Sequence, residues 1–137
     1  ITSFDTFKVR KVGVQLATVA DYFLMTYGDG ALIANVSHHV KPADGIRAFV
    51  NKDVVALMGV RSKLESLLHR ANARAAFLEP DMPGIVRKYW LIGMAWKENS
   101  RDLGYAIEAA LAKMTESGEL ARCFEKYGVS YIPPPAP

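Results

Sequence analysis

The first residues to weigh are those whose types could do chemistry. His38 and His39 are adjacent. On an extended chain neighbours point to opposite sides, and no third ligand stands at helical spacing, so the pair reads as a solvated loop and not a metal site. Gly28-Asp29-Gly30 lacks the oxygen ligands of a calcium loop and the Lys-Ser/Thr of a phosphate loop, and reads as a turn. Ser, His and Asp are all present, but no Gly-x-Ser-x-Gly elbow carries them. Cys123 is the only cysteine, which excludes an intrachain disulfide and a Cys-based zinc motif. It lies between Leu120 and Phe124 at helical spacing and is expected to be packed. No constellation for catalysis, a metal or a cofactor emerges, and a non-enzymatic role is expected. Tyr89, Trp90 and Trp96 are different. Alternation places Trp90 and Trp96 on one face and Tyr89 on the other, and such aromatics serve either as packing or as anchors of a binding surface.

The elements that must position these residues follow from patterning. Lys11-Val-Gly-Val-Gln15 alternates as a strand. Thr18 is placed to cap a helix over residues 19–26, with Asp21 in its first turn. Residues 31–36 and the apolar run 54–60 read as further strands, and Pro42 begins a helix carrying Ile46, Phe49 and Val50. Ser62 is expected to cap a helix through His69, with residues 75–78 a short strand and 86–96 a long one. Ser100 opens a helix whose Leu103, Ile107, Ala110, Leu111 and Met114 keep helical spacing, and Gly118 ends it. Residues 119–127 form a shorter helix, and the proline-rich tail is extended. Strand–helix alternation predicts an α/β fold: a mainly parallel sheet flanked by helices, which binds ligands at the carboxyl ends of its strands.

Composition sets the bounds. The chain has 137 residues, 50% of them hydrophobic and 23% charged, which is globular and not disordered. Its net charge of +3 comes from scattered Lys and Arg, which does not make a nucleic-acid surface. Apolar stretches are interrupted too often for membrane insertion. Ile1 is not a start residue and no leader precedes it, so the chain is expected to begin after processing or to be part of a longer protein.

Three stretches resemble the type 3 periplasmic solute-binding family, the receptors of amino-acid ABC importers. They are the Ser3-Phe4-Asp5 segment with the Lys11–Gln15 strand; Asn51-Lys-Asp-Val-Val-Ala-Leu-Met-Gly-Val-Arg-Ser-Lys-Leu64 with the helix before it; and Trp90-Leu-Ile-Gly-Met-Ala-Trp96 followed by Leu103–Lys113, Ser117-Gly118 and Phe124-Glu-Lys-Tyr-Gly128. The resemblance implies a periplasmic binding protein-like fold in which most of the first lobe is absent. Residues 1–15 would be the hinge and first strand of lobe two, 16–88 lobe two, 89–97 the return hinge strand, and 98–137 the C-terminal helices and tail belonging to lobe one. It also implies a ligand cleft at Gln15, Leu16, Ala17 and Thr18 after the first hinge strand, and at Val60 and Arg61 after the apolar strand. At the matching positions family members carry Gly-Thr-Thr, for the ligand carboxylate, and two Asp residues, one of them for its ammonium. Here Leu16 and Ala17 replace the Gly-containing positions, and Val55 and Val60 stand where the two Asp residues would be.

A receptor scaffold without its charged contacts is similar to the solute-binding-like accessory proteins of quinone-dependent methanol dehydrogenases, including the lanthanide-dependent form. That resemblance implies a periplasmic, non-catalytic protein that binds or assists the methanol dehydrogenase and its cytochrome. The alternative is a receptor that delivers an amino acid or another small, apolar solute to an ABC permease.

Overall fold

The computed structural model describes residues 3–85 and 87–135, and the chain divides after Ile85 into two compact units. The first unit is a small α/β layer structure. Strands β1 (Val12–Gln15), β2 (Val36–His39) and β3 (Ala56–Met58) form a parallel sheet in the order β2-β1-β3. Val12 aligns with Val36 and Ala56, and Val14 with His38 and Met58. Helices α1 (Val19–Thr26), α2 (Pro42–Val50) and α3 (Arg61–Arg70) supply the crossovers and the flank.

Period-two alternation gives the sheet two different faces. Val12 and Val14 point to one face, where they are buried with Ala20, Phe23 and Leu24 of α1 and with Phe7 and Leu32. Phe4 closes this core through an edge contact with Phe23 at 4.8 Å between ring centroids. Gly13 lies on the other face. A Cβ there would stand 2.7 Å from Leu57 Cδ2 and 3.2 Å from His39 Nε2. Gly45 of α2 faces the same two side chains, so a pair of glycines sets how closely α2 packs on the sheet.

The expected strand and helix patterns meet tertiary constraints in several places. Residues 31–36 do not form a strand. Leu32 is driven into the core with no exposure, Ile33–Asn35 make a 3-10 turn, and β2 begins at Val36. The cause is register: pairing with Val12 falls on Val36, so the polar Ser37, His38 and His39 become strand residues. His38 and His39 therefore belong to β2 and not to a solvated loop. The apolar run 54–60 pairs only over Ala56–Met58; Val54 is buried, and Val60 is already the N-cap of α3. Ser62 thus lies inside α3 and does not cap it. Residues 75–78 take no strand pairing, although Phe77 is half-buried beneath the Arg61 guanidinium, 5.7 Å from the ring centroid.

The second unit consists of an irregular stretch followed by α4 (Arg101–Glu116) and α5 (Glu119–Glu125). Gly118 joins the two helices in the left-handed conformation, φ 71°, as expected of a glycine ending a helix. Tyr131 folds back on Phe124, with ring centroids 5.3 Å apart. Among the described residues of this unit only Gly104 is buried, under the Trp96 indole. The patterning expects a strand over 86–96. Residues 87–97 form none, and Val86 lies outside the described residues. Leu103 is exposed, while Ile107, Leu111 and Met114 are half-buried. No helix among the described residues is long and apolar enough to cross a membrane.

Candidate functional site

In a parallel sheet of order β2-β1-β3, the strand order switches at β1: one crossover places β2 on one side of it and the next places β3 on the other. The loop after β1 leads to α1 on one face, and the loop after β3 leads to α3, beside α2 on the other. The two loops thus leave the carboxyl end of the sheet towards opposite faces, and the crevice between such loops is where parallel sheets bind ligands. Gln15, Leu16, Ala17 and Thr18 lie at the end of β1, and Val60 and Arg61 at the start of α3 beyond β3. The sheet therefore brings all six cleft residues to one end of the first unit.

The β1 side is closed by internal hydrogen bonds. Leu16 N–H donates to the His39 carbonyl at 3.1 Å. Thr18 Oγ1 donates to the Gln15 carbonyl at 2.8 Å and accepts the Asp21 N–H at 3.2 Å. Asp21 reaches back: its Oδ2 accepts the Ala17 N–H at 2.8 Å, and its Oδ1 lies 2.9 Å from His38 Nε2. This is a capping box displaced by one residue, with a carboxylate at the positive end of α1. Asp21 is only 8% exposed, so each of its oxygens needs a partner, and each has one. Ala17 takes φ 59°, a left-handed conformation uncommon for a residue with a Cβ.

Across the crevice, Lys63 of α3 donates to Gln15 Oε1 at 2.8 Å. Arg61 is paired within its own unit. Its Nε donates to Glu65 Oε1 at 2.9 Å and one terminal nitrogen to Glu79 Oε1 at 3.0 Å. Hydrogen bonds to Glu65, then to Glu79, raise its pKa above the ordinary arginine value. Val60 is 60% exposed and Leu16 is 48% exposed, so the apolar character of the crevice is presented to solvent. Val55 does not reach the crevice. It packs partly buried against the core, and its N–H donates to the Lys11 carbonyl at 2.9 Å.

Tyr89, Trp90 and Trp96 belong to the second unit, where they are exposed. Cys123 is exposed rather than packed. Among the described residues no three His, Cys, Asp or Glu side chains converge as a metal site would require. A shallow concavity bordered by Lys8, Phe23, Tyr27 and Pro83 lies at the opposite end of α1 from the crevice and carries no cluster of reactive groups.

Sequence patterning assigns Asp21 a helix-dipole role and leaves its pairing with His38 unread. The signal for its reach-back was present, since Thr18-x-x-Asp21 has the spacing of a capping box. The Lys63–Gln15 bridge spans 48 positions and has no local signature. No family model, curated protein or solved structure matches the chain.

Proposed function

We propose that this chain is a non-catalytic, periplasmic solute-binding-like protein that binds or assists a quinone-dependent methanol dehydrogenase, with the dehydrogenase and its cytochrome as partners. In this reading the first unit corresponds to lobe two of a periplasmic binding protein-like fold. The observation that supports it is the Asp21 carboxylate on the Ala17 N–H. In amino-acid receptors of the resembling family, the helix following the hinge strand offers its free N–H groups to the ligand's carboxylate. Here a carboxylate of the chain itself is already seated beside that helix terminus. A second one brought there would meet like charge at short range. On the other side of the crevice Val60 offers no counter-charge to an ammonium, and burying an unpaired ammonium costs several kcal/mol.

The test is a pull-down of purified dehydrogenase holoenzyme on the immobilised chain, with the apparent Kd measured by interferometry. A complex at micromolar concentration is the expected result; none at any concentration refutes the reading. The exposed Leu16 and Val60 favour a second reading, a receptor for a small, apolar solute of an ABC importer. A saturable ligand would then raise Tm by mass action. A shift of several degrees with a common amino acid would overturn the accessory role.

A further inference from the structure

Each strand of the sheet is followed by an exposed aliphatic residue at the same place. Val14 aligns with His38 on one side and with Met58 on the other. Two positions further along each strand stand Leu16 after β1, Val40 after β2 and Val60 after β3. The Leu16 N–H donates to the His39 carbonyl, which continues the parallel ladder and sets Leu16 beside Val40. Val40, Leu16 and Val60 are 75, 48 and 60% exposed. Neighbouring strands lie about 4.8 Å apart, so the three make one row across the carboxyl end of the sheet, in the order of the strands. A lone exposed valine is ordinary, whereas a contiguous apolar row rimmed by polar residues marks an interaction site.

Local stability is given up to hold this row. Val60 is the N-cap of α3 and accepts no N–H, although a hydroxyl at that position would, as Thr18 does for α1. With most of its surface in water, Val60 has no packing role that offsets the missing cap. The rim carries positive charge. Lys41 follows Val40, and Lys63 in the first turn of α3 donates to the amide oxygen of Gln15, next to Leu16. Gln15 is uncharged, so the Lys63 charge stays uncompensated, and Lys41 has no ion pair among the described residues. The carboxylates beside the row are already taken: Asp21 by His38 and the Ala17 N–H, Asp44 by Arg47, and Glu65 and Glu79 by Arg61.

We infer that this row is the surface through which the chain docks its protein partner, and that the partner presents an apolar patch edged by carboxylates. The inference rests on the dehydrogenase reading and specifies its contact. An apolar centre inside a polar rim is the anatomy of a protein interface, and the cationic rim selects an acidic complement. A small solute is held by enclosing most of its surface, whereas these side chains stand open. A lipid surface calls for the bulky face of an amphipathic helix, whereas this row comes from three separate loops.

The experiment measures by interferometry the Kd of purified dehydrogenase holoenzyme for the full chain and its variants. Val40→Ser and Val60→Ser should each weaken binding about three- to tenfold, and the two combined with Leu16→Ser about a hundredfold. Val60→Ser also supplies α3 with a cap, so its Tm should hold or rise while its affinity falls, which separates docking from damage to the fold. Lys41→Glu should slow association and flatten its salt dependence. Val50→Ser, at an exposed position at the far end of α2, should leave the Kd unchanged. Undiminished binding by the triple variant overturns the proposal and leaves the dehydrogenase reading standing. No binding by the wild-type chain removes that reading and the proposal with it. Self-association of the chain, or a saturable Tm shift with a small apolar solute, that disappears in Val60→Ser would assign the row to a second copy or to a solute, and overturns the proposal too.

Discussion

Asp21 Oδ1 lies 2.9 Å from His38 Nε2, which ties the first turn of α1 to the end of β2 across the core face of the sheet. The other oxygen of the same carboxylate holds the Ala17 N–H. One buried side chain therefore fixes three things at once: the loop after β1, the start of α1 and the edge strand.

Removing that carboxylate should be costly. Asp21→Ala deletes a cap and leaves the Ala17 N–H and the His38 ring without their acceptor. A loss of about 1–3 kcal/mol is expected from the cap and the unsatisfied groups together. Urea denaturation measures it, and His38→Ala should cost less because the Ala17 bond survives. Equal costs would show that the histidine contact carries the whole effect.

Ala17 offers the opposite opportunity. Its φ of 59° is held by the Asp21 bond although a Cβ disfavours it. Ala17→Gly relieves that strain and is expected to stabilise the protein by about 0.5–1 kcal/mol, after the extra chain entropy of glycine is offset. An unchanged or lower denaturation midpoint at constant m-value contradicts this.

In the second unit, a Cβ at Gly104 would overlap the Trp96 indole. Gly104→Ala should displace the ring and leave α4 intact or strengthened, since alanine favours helix over glycine by about 1 kcal/mol. In a Trp90→Phe background, Trp96 emission should shift to the red while helical circular dichroism holds. An unshifted spectrum would mean that the indole does not rest on Gly104.

Lys8 and Asp5 form an exposed ion pair at 2.8 Å. The hydrogen bond to Asp5, and then its charge, raise the lysine pKa above the ordinary 10.5. A raised folded-state pKa gives a contribution that is complete below the unfolded value and is lost as pH climbs through the folded one. The window is thus alkaline, above 10.5, and near neutral pH the lysine should add no pH dependence to stability. NMR titration of the Lys8 side chain should give a midpoint above that of free lysine, and Asp5→Asn should return it to the ordinary range.

Local chemistry determined much of the first unit. Thr18 with Asp21, Pro42 at the start of α2 and the alternation of Val12 and Val14 act over a few residues, and each stands as the sequence predicts. The same holds for α4 and α5 with Gly118 between them. The parallel α/β layering follows from that alternation. Strand pairing is not a local property, because backbone N–H and C=O groups need partners that only another segment supplies. Register against β1 therefore moved β2 from the apolar residues 31–36 to Val36 and the polar Ser37, His38 and His39, and buried Leu32 instead. Residues 75–78 and 87–96 have β-forming side chains but join no strand ladder. The union of Asp21 with His38, and of Lys63 with Gln15, came only with the fold, which brings together side chains 17 and 48 positions apart.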